Sequence, residues 1–168
     1  EPVLIPKEAT RVDHEVELAV IIGKGGRRIP KPQAMGHIAG YTILNDVTER
    51  DMQARDMAVS HPWFLSKSFD TFGPLGPCIA LPDEIADPHK LALRLMVNGE
   101  VRQESNTSNL IFKIPELIAT LSRFITLEPG DLISTGTPEG ISPIKPGDVM
   151  EAYVEGIGTL RNPVEEER

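Results

Sequence analysis

Two glutamates at alternate positions, Glu15 and Glu17, open an apolar run, Val16-Glu17-Leu18-Ala19-Val20-Ile21-Ile22. In a strand, residues two apart share a face, so these carboxylates are expected on one side, about 7 Å apart. At the head of a strand this apolar, that face is partly buried, and two desolvated like charges resist ionisation unless a cation joins them. Asp46 ends a second apolar run, Gly40-Tyr41-Thr42-Ile43-Leu44-Asn45, and offers a third hard oxygen. Three carboxylates without a thiolate suit Mg²⁺, Mn²⁺ or Ca²⁺ and disfavour zinc. Each residue also has a plainer reading. Glu15 and Glu17 fit a solvated strand start, and Asp46 or Thr48 fits a helix N-cap.

Three carboxylates around a divalent ion leave one net negative charge, so an anionic substrate would need nearby cations. Arg50 and Gln53 are three apart on a predicted helix over Glu49–Met57 and can share a face. Lys67 lies between Trp63-Phe64-Leu65 and Phe69, where a lysine can also simply snorkel. Thr135-Gly136-Thr137-Pro138-Glu139-Gly140 is a turn of small residues whose backbone N–H groups could meet an anion, or which merely joins two strands. Gly23-Lys24-Gly25-Gly26 lacks the spacing of a phosphate loop and reads as a hairpin turn. Cys78, in an apolar run, reads as a buried small hydrophobe.

The elements that must carry these residues are mostly strands. Besides the two runs above, Leu91, Leu93, Leu95 and Val97 alternate with Ala92, Arg94 and Met96. Asn98-Gly99 then signals a hairpin back through Val101–Glu104. Further strands are expected over Leu132–Ser134, Val149–Val154 and Thr159–Pro163. One good helix starts near Pro115, with Leu117, Ile118, Leu121, Phe124 and Ile125 as its apolar face. Repeated βαβ spacing is absent, so a doubly wound sheet is not expected.

The composition agrees and excludes more. The 168 residues include 15 Pro and 14 Gly, which suits strands and turns better than a helix bundle. With 25 Asp+Glu against 17 Lys+Arg the net charge is −8, which argues against nucleic-acid binding. One cysteine cannot form an internal disulfide, and no apolar run nears the ~20 residues of a membrane span. The expectation is a single domain over residues 1–168 in a reducing compartment, the cytoplasm. The chain begins Glu1-Pro2-Val3 without a methionine, which suggests a trimmed piece of a longer protein.

Six ordered blocks then resemble the C-terminal catalytic domain of the fumarylacetoacetate hydrolase superfamily. They are the run from Asp13 to Gly23; Gly40-Tyr41 with Asn45–Asp51; Lys67–Pro77; Val97–Gln103; Pro129-Gly130-Asp131; and Thr135–Gly140. The resemblance implies a mainly β, α+β fold, a mixed β-sandwich roll with a few short helices. It implies that Glu15, Glu17 and Asp46 hold Mg²⁺, or Mn²⁺ or Ca²⁺ in some members. Arg50 and Gln53 match substrate-contacting positions, Lys67 the lysine at the substrate oxygens, and Gly136 and Thr137 the turn that takes the substrate carboxylate. The implied substrates are small 2-oxo acids, handled through a metal-stabilised enolate. The reaction would be C–C hydrolysis of acylpyruvates or isomerisation of 2-hydroxy-dienedioates, with oxaloacetate-type decarboxylation or binding without turnover as alternatives. A homodimer is the family expectation. The family's His and Glu acid/base pair lies upstream of the E-x-E motif, and no residue here matches it, so an upstream segment is expected to be missing.

Overall fold

A computed structural model describes residues 1–167. In chain order its strands begin with β1 (Val3–Ile5), β2 (Val12–Asp13), β3 (Val16–Ile22) and β4 (Ile38–Asn45). Then come β5 (Thr48–Glu49), helix α1 (Arg50–Ala58), β6 (Leu75–Ala80), β7 (Ala92–Val97) and β8 (Glu100–Asn106). Helix α2 (Ile114–Phe124), β9 (Leu132–Ser134), β10 (Pro143–Ile144), β11 (Val149–Val154) and β12 (Gly158–Glu166) complete the order. They form a five-stranded sheet β1-β12-β11-β7-β8, a four-stranded sheet β6-β4-β3-β9 and a three-stranded sheet β10-β2-β5. The expected β-sandwich roll is what forms.

The two larger sheets face each other across the core. Leu95, Met150, Ala152 and Val154 of one pack with Val16, Leu18 and Ile43 of the other, all at 1% exposure or less. Asn45 Nδ2 reaches Met150 Sδ at 3.3 Å across that gap. β3 lies between β4 and β9, antiparallel to both, with Val16 opposite Asn45 and Ala19 opposite Ser134. The start of β3 therefore meets the ends of β4 and β9 at one edge of the sheet. Asn98 and Gly99, with φ of +53° and +80°, make the predicted hairpin between β7 and β8.

The helices differ from expectation in two ways, at the cap of α1 and along the buried stripe of α2. The N-cap of α1 is Glu49, which accepts from Met52 N, and not Asp46 or Thr48. No residue of α1 is buried, and its ties to the sheets are its cap and the Arg50 bonds to Asp13 and Glu15. α2 begins at Ile114, and its buried stripe is Ile114, Ile118 and Ser122. Leu121, Phe124 and Ile125, expected on that stripe, are 37%, 72% and 54% exposed. The helix is rolled so that Ser122 Oγ can accept from Ile29 N (2.9 Å). Cys78 is exposed on β6 and not buried, its Sγ near Ile157 O. Among the described residues, no helix is long and apolar enough to cross a membrane.

Candidate active site

The edge where β3 begins and β4 and β9 end gathers the three carboxylates. Glu17 is the second residue of β3, Glu15 lies one residue before that strand, and Asp46 follows β4. One oxygen from each lies within 4.8 Å of the others. Asn45, fully buried, fixes the join: its Oδ1 accepts from Glu15 N (2.8 Å), and Asp46 N donates to Glu15 O (2.8 Å). Glu15 and Glu17 are 6% and 2% exposed, so the solvated-strand reading does not hold.

Two cations close the rim. Lys67, in a short 3₁₀ turn over Leu65–Lys67, donates from Nζ to Asp46, to Glu15 Oε2 (3.2 Å) and to Thr48 Oγ1 (3.0 Å). Arg50, at the start of α1, donates to Glu15 and to Gln53 Oε1 (2.6 Å). Its Nε donates to Asp13 Oδ2 (3.0 Å), while Arg11 pairs with the other Asp13 oxygen (3.0 Å). Burial opposes the charge on Arg50, but the bonds to Glu15 and Asp13 outweigh it and raise its pKa.

Glu17 differs from its neighbours. It accepts from the Ser134 hydroxyl and from Gly136 N (2.7 Å), and has no cationic partner among the described residues. Burial pushes its carboxyl up to about 7, and the charges of Asp46 and Glu15 add to this, against the two donated bonds. A divalent cation would supply the missing charge to a set of hard oxygens already within reach of one ion. The donor set therefore fits Mg²⁺, Mn²⁺ or Ca²⁺.

All the residues singled out from sequence fall in this region, in unequal positions. Glu15, Asp46, Arg50 and Lys67 touch one another or share partners, and Glu17 has an oxygen within 4.8 Å of the other two carboxylates. Gln53 reaches the cluster through Arg50. Gly136, with φ +95°, directs its N–H to Glu17. The Thr137 hydroxyl is engaged by Val16 O (2.9 Å) and by the Gln103 amide. Sequence reasoning missed Asp13, Asn45, Thr48, Ser134 and Gln103 as supports. Asp13 had a signal, since Asp13, Glu15 and Glu17 alternate; Asn45 and Ser134 gain their partners through strand register, and Thr48 and Gln103 through the packing of a loop and of the facing sheet.

Comparison with known proteins gives the family. The family model described as fumarylacetoacetate (FAA) hydrolase C-terminal matches residues 1–165. The structure of 5-carboxymethyl-2-hydroxymuconate delta-isomerase from Mycobacterium smegmatis superposes with a TM-score of 0.93 at 47% identity, over 99% of this chain and 64% of that one. Fumarylpyruvate hydrolase from Pseudomonas aeruginosa, crystallised with Mn²⁺ and pyruvate, gives 0.95 at 38% identity, over 99% and 71%. An oxaloacetate tautomerase of Xenopus laevis is 44% identical over 98% of this chain and 53% of its own length, so this chain spans about half of that relative. The chain belongs to the fumarylacetoacetate hydrolase family.

Proposed function

We propose that this chain carries the metal-dependent site of an enzyme that acts on a small 2-oxo acid through its enolate. The carrying observation is the convergence of Glu15, Glu17 and Asp46 at one sheet edge, with Lys67 and Arg50 on its rim. The Mn²⁺ and pyruvate in the Pseudomonas hydrolase support both the ion class and the substrate class. Glu15, Glu17 and Asp46 would hold a divalent ion, Mg²⁺ first and Mn²⁺ or Ca²⁺ as alternatives, whose Lewis acidity polarises a 2-oxo oxygen when bound. The Lys67 ammonium and the Arg50 guanidinium are fixed charges that offset negative charge as it grows on the substrate, with no reorganisation at that moment. The Gly136–Thr137 turn is assigned to the substrate carboxylate. Gln53 orients Arg50 through their hydrogen bond.

The reaction proposed first is C–C hydrolysis of an acylpyruvate or isomerisation of a 2-hydroxy-dienedioate, the classes named by the hydrolase and isomerase relatives. An oxaloacetate-directed reaction is the second reading, favoured by the tautomerase similarity. We place the protein in the cytoplasm as a homodimer. The test is turnover of acylpyruvates, 2-hydroxy-dienedioates and oxaloacetate by the full-length protein with Mg²⁺ or Mn²⁺, each repeated in EDTA. Metal-dependent conversion of one class is expected. Absence of turnover on all three overturns the enzymatic reading, and pyruvate binding without turnover would leave a binder.

A further inference from the structure

A directed chain of buried hydrogen bonds joins β8 to the turn after β9. Gln103 and His14 are 1% and 0% exposed. Gln103 Oε1 lies 3.1 Å from Val16 N and 3.0 Å from His14 Nδ1. A backbone N–H can only donate, so the amide oxygen must lie on that side. Its Nε2 then donates to Thr137 Oγ1 (2.8 Å) and Pro138 O (2.9 Å). With the oxygen so assigned, His14 Nδ1 carries a proton, and in the neutral ring Nε2 accepts from the Ser142 hydroxyl (2.9 Å). Thr137 Oγ1, which accepts from Gln103, gives its own proton to Val16 O. In this network the amide and the imidazole each have one consistent orientation.

The network couples two parts of the site that are far apart in sequence. Val16 stands between Glu15 and Glu17, and Gln103 bonds both to it and to the turn. The turn is also pressed against β8: a Cβ at Gly140, whose φ is +98°, would sit 2.2 Å from Arg102 O. We propose that Gln103, oriented by His14, is a positioning residue that sets the Gly136–Thr137 turn against the carboxylate cluster and so fixes where a 2-oxo acid's carboxylate is held. This rests on the functional reading above. Gln103 acts through the turn, not on the reacting atoms.

Calorimetry with Mn²⁺ alone, then with pyruvate on the Mn²⁺-loaded protein, tests the assignment. Gln103→Met keeps the volume and loses both donations to the turn. Pyruvate affinity should fall about tenfold, the scale of two neutral hydrogen bonds, with Mn²⁺ affinity within about twofold of wild type. Thr137→Val should couple to it, the double variant binding pyruvate no worse than the weaker single one. Gln103→Asn keeps the amide but withdraws it by one methylene, and carries the same decision should Gln103→Met fail to fold. Unchanged pyruvate affinity overturns the proposal. So does a parallel loss of Mn²⁺ and pyruvate binding with a lower melting temperature, the mark of a merely structural residue. Wild-type protein that takes Mn²⁺ and no pyruvate overturns the functional reading itself, a result distinct from variants that bind like wild type.

Discussion

Glu17 is the member of the cluster whose charge the protein leaves uncompensated. Its pKa of about 7 lies above the ordinary carboxyl value of 4.5, so between those values the native state binds the extra proton. Stability of the metal-free protein therefore falls as pH rises through that window and stays lowered above it. Glu17 Oε2 accepts both the Ser134 and Gly136 bonds, so one amide oxygen can replace it. Two opposite effects are expected of Glu17→Gln at pH 8. The metal-free variant should melt higher than wild type, because a buried charge is gone. Its Mg²⁺ or Mn²⁺ affinity should fall by at least about tenfold in calorimetry, because a ligand is gone. Equal metal affinity in both proteins would remove Glu17 from the site. Residue types and spacing made Glu15, Glu17 and Asp46 legible as candidates. They could not show that Lys67 lies beside Asp46 and Arg50 beside Glu15, since those contacts follow from how the loops after β4 and α1 fold back.

At the scale of elements, α2 is tied at its first turn by a histidine from another loop. His89 Nε2 accepts from Ile114 N (3.1 Å), and the Glu116 side chain accepts from Lys113 N (3.0 Å). Accepting that bond requires an unprotonated Nε2. Burial lowers the His89 pKa, helped by the Lys113 charge and opposed by Asp87. A histidine with a lowered folded pKa contributes its stability in full above the unfolded value, near 6.5, and loses it as pH falls through that value toward the folded one. NMR titration should place the His89 midpoint below the ordinary value near 6.5, with exchange at the Ile114 amide accelerating below it. His89→Ala should make that amide exchange faster at pH 8 as well. Ile114 exchange independent of both would show that the ring does not hold this turn. The same helix shows where sequence reading stops. Its period was legible from Leu117 to Ile125, but periodicity identifies an apolar stripe, not what covers it. Here a serine is buried for its hydroxyl while Phe124 faces out. The strands were more legible, because β3 and β4 are buried on both faces and the Asn98-Gly99 turn fixes the register of its own hairpin.

The molecule as a whole spends its core on holding one sheet edge in place. Leu95, fully buried between the sheets, offers no ligand atom, whereas Asn45 contacts both the core, at Met150, and the site, at Glu15. Metal binding should therefore stabilise the whole fold and not merely the site. At a free Mn²⁺ concentration of 100 times its dissociation constant, the linkage is about 2.7 kcal/mol, or roughly 5 to 10 °C in melting temperature for a chain of this size. The net charge of −8 favours cation association generally, so a charge-matched salt control separates site binding from screening. EDTA should reverse the rise, and Glu17→Gln should reduce it at the same Mn²⁺ concentration. Leu95→Ala should lower stability by about 2 to 5 kcal/mol through a core cavity yet keep the Mn²⁺-induced shift, since it leaves the ligands untouched. A shift lost in Leu95→Ala but kept in Glu17→Gln would place the stabilising ion elsewhere than at the start of β3.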